Sequence, residues 1–334
     1  MMLLQPATSS QTAAKVGLFG GAGSGKTLTA ILLAIGLSKR SDNAPIAFVD
    51  PEDVTDFILP VCQAEGVPLL TLRRSSFVEM VEALKEAEVE NCAAFVVDHY
   101  DACFRELTEA QKAKLNLQGR RLSYHHREEL ERIWAQWVSL MRRSPLHCLL
   151  NGRLSWDYGD DEDESGDPIK VKLGTKMRGQ WDVGYEPDLL VELEAVQQHG
   201  RRDKLTRSKR GTILHHCTVV KDRFMALNGL HFSFRDLNTY KAGDYEKVFK
   251  AFAPHFDRLA RHGTSQLAGK GPHRTSAELF TSPNGESTFA ERSRRVTIAI
   301  EELQAALAMI WPGQTAEEKK FKIIVLDTLL HTRS

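Results

Sequence analysis

The stretch Gly20-Gly21-Ala22-Gly23-Ser24-Gly25-Lys26-Thr27 constrains this chain more than any other, because it satisfies the pattern G-x-x-x-x-G-K-[ST] at every position. It also stands in the context that the pattern needs. The apolar run before it, KVGLFG at 15–20, reads as a buried strand, and residues 26–38 read as a helix. Glycines let backbone N–H groups turn inward, and the start of a helix adds a favourable dipole, so such a turn is a cradle for phosphate. In that cradle Lys26 reaches the β- and γ-phosphates and the Thr27 hydroxyl ligates Mg²⁺. A strand buried on both faces and a helix folded back over it commit the chain to a layered α/β architecture.

The rest of the first half repeats that alternation. PIAFVD (45–50), PLLTL (68–72), AAFVVD (93–98) and LHCLLNG (146–152) are short apolar runs, with helical periodicity at 75–89 and charged helical stretches near 102–118 and 123–143. Strands alternating with helices imply a mainly parallel central sheet covered on both faces. Beyond residue 152 the pattern changes: DLLVELEAV (188–196) and TILHHCTVV (212–220) read as a strand pair joined by a basic turn, and 244–262 as a helix. Residues 263–288 are rich in Gly, Ser, Thr and Pro and read as a linker, followed by two amphipathic helices near 289–310 and 315–331.

Composition narrows the function. The 334 residues carry no formal net charge, so a polyanionic partner has to be met by local patches. The five cysteines form no C-x-x-C pair and no zinc spacing, which is the usage of reduced thiols. The longest apolar run, 28–37, is too short to cross a bilayer, so no membrane association and a cytoplasmic setting are expected.

Two carboxylates complete the expected phosphate site. Four apolar residues deliver Asp98 to a strand end, where it would hold the magnesium through water. AFVDPED (47–53) places Glu52 just past the end of the second strand, on the edge from which the loop and Asp98 emerge, with Asp50 and Asp53 as competitors. A carboxylate there could hold water in line with the γ-phosphate. The guanine-reading sequence N-K-x-D does not occur, which favours ATP.

These motifs, in this order, resemble RecA-like ATPases, and in particular those of bacteriophages and other mobile elements. AFVDPEDVTDF looks like the RecA stretch whose glutamate is catalytic, although Pro51 replaces a small flexible residue. VVDHYDA resembles the metal-binding strand, with His99 where many ring-forming ATPases carry a glutamate. LHCLLNGR resembles the strand whose end senses the γ-phosphate, which would make Asn151 the sensor. CTVVKDRF resembles the late strand whose Lys-x-Arg pair reaches a neighbouring subunit's ATP in ring helicases and KaiC; Lys221 and Arg223 fit that spacing, since residues two apart on a strand face one side. The resemblance covers 15 to about 230. Together with the composition and periodicity beyond it, this divides the chain into an N-terminal tail (1–14), an ATPase core (15–240), a helix packing on that core (241–262), the linker (263–288) and a C-terminal helical segment (289–334).

The resemblance further implies a Mg²⁺-dependent ATPase that assembles into a ring or filament, with ATP between subunits, and acts on DNA, most simply single-stranded, in recombination or replication. Two basic segments could serve that role. Lys170, Lys172, Lys176 and Arg178 follow the acidic run 160–167 and lie near Trp181 and Tyr185, a mixture suited to phosphate neutralisation and base stacking. RRDKLTRSKR (201–210) is denser, with Arg201, Arg202, Lys204, Arg207, Lys209 and Arg210 around a single acid. GRRLSYHHR (119–127) is a third and weaker candidate. The alternative is an ATP-switched adaptor, a loader or packaging accessory that recruits a protein through its C-terminal helices. A small-molecule kinase fits less well, because no arginine-bearing lid or acceptor pocket is legible.

Overall fold

The computed structural model describes residues 13–74, 76–117, 120–162, 168–178, 184, 186–198, 212–235 and 240–262. The chain order is β1 (Lys15–Gly20), α1 (Lys26–Lys39), β2 (Ile46–Val49), α2 (Thr55–Ala64), β3 (Leu69–Leu72), α3 (Phe77–Val89), β4 (Ala94–Val97), α4 (Asp101–Lys114), α5 (Tyr124–Arg143), β5 (His147–Glu162), β6 (Pro168–Met177), β7 (Leu189–Gln198), β8 (Thr212–Asp222), β9 (His231–Arg235) and α6 (Tyr245–His262).

The sheet runs β3-β2-β4-β5-β1-β7-β8-β9, and the strands from β3 to β7 are mutually parallel. The last two, β8 and β9, return antiparallel. The architecture is therefore α/β with a mostly parallel central sheet flanked by helices, as the alternation of the sequence requires. The first strand sits in the interior of the sheet, between β5 and β7, and all of its residues are buried. Its C-terminal end is thus fixed from both sides before the glycine-rich turn begins.

Side chains alternate between two cores. Val16 and Leu18 join the core beneath α1, with Ile31, Leu32 and Ile35, while Phe19 joins the core beneath α5. Every residue of α1 from Leu28 to Ser38 is buried, because the helix lies between the sheet and α6. Gly36 permits that layering: a Cβ there would come within 2.1 Å of the Phe249 ring. On the other face, α5 buries Leu130, Trp134, Trp137 and Met141, one helical stripe. The Trp134 ring meets Phe104 edge-on at 5.2 Å, and truncation of either tryptophan would cost about 3–5 kcal/mol.

Several elements were illegible or shorter in the sequence. The helix α2, the strand β9 and the strand β6 are additional to the elements expected above, although β6 alternates over Ile169–Leu173. The fifth strand is far longer than LHCLLNG suggests. Its first half lies in the central sheet, and its second half, Leu154–Glu162, leaves the sheet to pair antiparallel with β6 as a projecting ribbon. The linker (263–288), the C-terminal helices (289–334), Trp181, Tyr185 and the basic run 201–210 lie outside the described residues.

Candidate functional site

The loop between β1 and α1 closes around two left-handed glycines, Gly23 (φ 71°) and Gly25 (φ 89°). Gly25 admits no other residue on a second count: a Cβ would stand 2.8 Å from Nδ1 of His215, a buried side chain of β8. That nitrogen lies 2.9 Å from the Ser24 carbonyl; a carbonyl only accepts, so Nδ1 carries the proton and donates. This contact is not legible locally, because His215 sits beside His216 in a strand 191 residues downstream of Ser24.

Lys26 folds back onto the loop that carries it. Its Nζ donates to the carbonyls of Gly20 (3.1 Å) and Gly21 (2.7 Å). Burial lowers its pKa, with Asp98 and Glu52 acting in the opposite direction and Arg153 adding to the fall. A half-buried ammonium that borrows carbonyls from its own turn would gain from an anion at the centre of that turn.

Asp98 ends β4 next to the start of α1. Its Oδ1 accepts from the Thr27 hydroxyl at 3.0 Å and from Asn151 Nδ2 at 2.7 Å. Burial raises its pKa, and these two hydrogen bonds partly offset the rise. Asn151 itself is buried in β5, and its Oδ1 has no partner among the described residues. A hydroxyl and a carboxylate are hard oxygen donors, the set that magnesium prefers, and a dication would relieve the buried charge of Asp98. Among the described residues no cluster of three His, Cys, Asp or Glu side chains is arranged to cage a metal. A magnesium ion here would draw most of its ligands from phosphate and water.

The three acids after β2 separate cleanly. Asp50 is buried and caps α2, accepting from Val54 N at 2.9 Å and from Thr55 N at 2.7 Å. It is committed to the fold. Asp53 is exposed in a left-handed turn (φ 56°). Glu52 alone enters the cavity beside the loop, a space of about 640 Å³ whose wall also includes Lys26, Thr27, Asp98 and Asn151. There it is not alone. Arg153 donates to Glu52 Oε1 at 2.8 Å, and His99 Nδ1 lies 2.5 Å from the same oxygen. His99 is buried, with φ 49°, a strained backbone that turns the chain from β4 into α4; its Nε2 is 2.8 Å from Asp101 Oδ1, off the hydrogen-bonding direction. His99 and Arg153 were not among the residues singled out as catalytic, yet both line the cavity.

Lys221 and Arg223 do not join this group. In register, Lys221 pairs with Leu190, which pairs with Gly17, whereas the loop begins at Gly20. Lys221 is therefore about 10 Å back along the strands and about 10 Å across them. It lines a different cavity of about 290 Å³, with Asp157, Lys176 and Leu190. Arg223 lies beyond the end of β8, so strand alternation does not place it beside Lys221. It donates to Asp188 at 3.3 Å, on the opposite edge of the sheet from the loop of its own chain.

The basic residues of the ribbon are engaged within it. Lys170 pairs with Asp160, Lys176 with Asp157 at 2.7 Å, and the Lys172 ammonium stands 4.2 Å from the centre of the Trp156 ring. The Arg178 carbonyl accepts from the Tyr100 hydroxyl at 2.5 Å, and its side chain is exposed. Trp156, Tyr158 and Leu173 are 47%, 49% and 68% exposed, an unusual display for a short ribbon.

The site is thus that of an α/β protein with a glycine-rich anion cradle at the C-terminal edge of its parallel strands. No protein-family model and no curated protein matches this sequence. Among solved structures, it is similar to a KaiC-like protein from the hyperthermophilic archaeon Pyrococcus horikoshii OT3, at 11% identity and a TM-score of 0.40 over 68% of this chain and 94% of that one. A superposition that loose carries no argument about ligand or partner. No helix among the described residues is long and apolar enough to cross a membrane.

Proposed function

We propose that this chain is a Mg²⁺-dependent ATPase of the RecA-like kind. The observation that carries the reading is convergence: Lys26 and Thr27 of α1, Glu52 after β2, Asp98 after β4 and Asn151 of β5 face one cavity at the mouth of the glycine-rich loop. In this reading backbone N–H groups of Gly21–Thr27 and Lys26 hold the phosphates, and Thr27 and Asp98 hold the magnesium. Asn151 orients Asp98 and reads the terminal phosphate, and Glu52 positions the attacking water. The bound metal supplies charge neutralisation between the phosphates; the side chains supply position.

Assembly and nucleic-acid binding belong to the same proposal. Lys221 and Arg223 stand too far from the loop of their own chain to serve it. Their action on a nucleotide would have to be on that of a neighbouring copy, so ATP would lie between subunits of a ring or filament. The ribbon offers aromatic faces beside lysines on the edge of the sheet where the cavity opens. Its ion pairs are exposed, and such pairs contribute about 1 kcal/mol or less, so phosphates could replace the acids as partners. Single-stranded DNA, stacked on Trp156 and Tyr158, is the partner this surface suits best. A phage or mobile-element setting rests on the sequence resemblance alone.

The test is ATP hydrolysis by the full chain with and without single-stranded DNA at two salt concentrations, with Lys26→Ala as the control. Stimulation that fades as salt rises is the expected result. Turnover indifferent to DNA would remove the nucleic-acid part, and turnover that survives Lys26→Ala would remove the site.

A further inference from the structure

The feature of the cavity that the reading above leaves without a role is Arg153. It sits on β5 two residues beyond Asn151, and its Cα is in register with Gly20, the first residue of the loop. Its guanidinium reaches Glu52 Oε1 at 2.8 Å and comes within 3.4 Å of His99 Nδ1. Arg153 and Glu52 are 47% and 44% exposed at the side chain, so neither is walled in by the fold. Asp50, two residues earlier, has its oxygens fixed by α2; among the described residues Glu52 is held by no backbone donor, only by the arginine and the imidazole.

Oε1 of Glu52 has two lone pairs, and the guanidinium at 2.8 Å and the imidazole at 2.5 Å both stand against it, so a water at that oxygen must displace one of them. The general-base candidate thus has one of its two oxygens occupied by a cation of its own chain. The occupant is the side chain best suited to leave for a phosphate, because a guanidinium presents a fork of donors and a terminal phosphate brings more charge and more acceptors than a single carboxylate. The Arg153–Glu52 pair is also cheap to open, as half-exposed ion pairs are.

We propose that Arg153 is a cis-acting reader of the terminal phosphate: it holds Glu52 when the loop is empty or carries a diphosphate, and moves to the γ-phosphate when a triphosphate binds, which frees Glu52 for water. The inference rests on the nucleotide reading of the same cavity and adds to it a distinction between triphosphate and diphosphate. It also assigns the restraint on Glu52 to the chain's own arginine, with no contribution from a second subunit.

The test is equilibrium binding, which needs no turnover. Fluorescent ADP and a non-hydrolysable fluorescent ATP analogue are titrated, with Mg²⁺, into the full-length protein and into Arg153→Gln, Arg153→Lys, Glu52→Gln and the double variant Arg153→Gln/Glu52→Gln. Loss of one charge-assisted contact should weaken the triphosphate by roughly tenfold in Arg153→Gln and leave the diphosphate nearly unchanged, with Arg153→Lys between. Glu52→Gln releases the arginine in advance, so triphosphate affinity should rise by about 2- to 5-fold, a gain that must vanish in the double variant. If Arg153→Gln weakens both nucleotides equally, or neither, Arg153 does not read the third phosphate. If Glu52→Gln leaves triphosphate affinity unchanged, the two side chains are not exchanging partners and the proposal falls. If the wild-type chain binds neither nucleotide, the nucleotide reading itself fails and takes this one with it.

Discussion

Both edges of the parallel sheet carry charged groups, and they treat them in different ways. At the edge where the parallel strands begin, Lys15 is 3% exposed and donates to the carbonyls of Ser144 (2.9 Å) and Leu146 (2.6 Å). Asp188 accepts from Lys15 N, and Asp222 accepts from the backbone N–H groups of Phe224, Ala226 and Leu227 while facing His255 at 2.8 Å. The charged groups there are held by partners within the fold, and among the described residues only His255 Nε2 of this set is left without one. At the edge where the parallel strands end, Lys26 borrows loop carbonyls, Asn151 Oδ1 has no partner among the described residues, and Glu52 pairs with a half-exposed arginine. Satisfied burial is the mark of structure, and provisional partnership beside an open cavity is the mark of a ligand site. The comparison also qualifies Arg223, whose contact with buried Asp188 ties it to the structural edge whatever it does for a neighbour.

The sharpest way to break this contrast is to remove one group from each edge and measure both stability and binding. Lys26→Ala should lower triphosphate affinity by about 100-fold or more and leave the unfolding midpoint in place, since its partners are exposed or part-exposed carbonyls of its own loop. Asp222→Ala should do the reverse. It strands His255 and three backbone donors in the interior, which costs about 3–5 kcal/mol, while the folded fraction binds nucleotide with unchanged affinity. Calorimetry and nucleotide titration on both proteins decide the matter. A destabilised Lys26→Ala, or a binding defect in the folded Asp222→Ala protein, would dissolve the distinction between the edges.

How far these edges can be read from sequence follows from how local each signal is. The loop is a contiguous pattern of glycines with one lysine and one threonine, and its strand and helix are apolar enough to be recognised without the fold. Asp98 and Glu52 follow from strand ends, since a parallel sheet delivers its strand termini to one edge. His215 and Arg153 are not local in this sense. Each is an ordinary residue in its own segment and acquires a role only when register brings it against Ser24 or Glu52. Lys221 and Arg223 show the converse error. Their spacing implies a shared face, but β8 ends at Asp222, and the turn that follows sends Arg223 to Asp188. The ribbon was half visible: its charges were legible, but their pairing across β5 and β6 depends on a strand that outruns its apolar stretch and on a register shift beside Asp157.

The smallest predicted effect probes the structural edge without deleting a charge. His147 opens β5, and its Nδ1 accepts from Ala14 N at 3.0 Å, an interaction that requires that nitrogen to be unprotonated. Burial is the main cause that lowers its pKa, with Lys15, His255 and Arg40 adding repulsion, and the value falls to about 4 from 6.5. The folded chain therefore resists a proton that the unfolded chain accepts. Stability from this group is complete above about pH 6.5 and is lost as pH falls toward about 4, by up to about 3 kcal/mol in total. The lowered pKa of buried His255 acts in the same direction, so the wild-type slope alone does not isolate His147. His147→Asn keeps an acceptor for Ala14 N and removes the titration. Urea midpoints between pH 7 and pH 4.5 should fall less steeply in this variant than in the wild type, while nucleotide affinity at pH 7 stays the same in both. Parallel slopes would mean that the edge owes its acid sensitivity to other groups, and a shift in nucleotide affinity would mean that the two edges are coupled through β5.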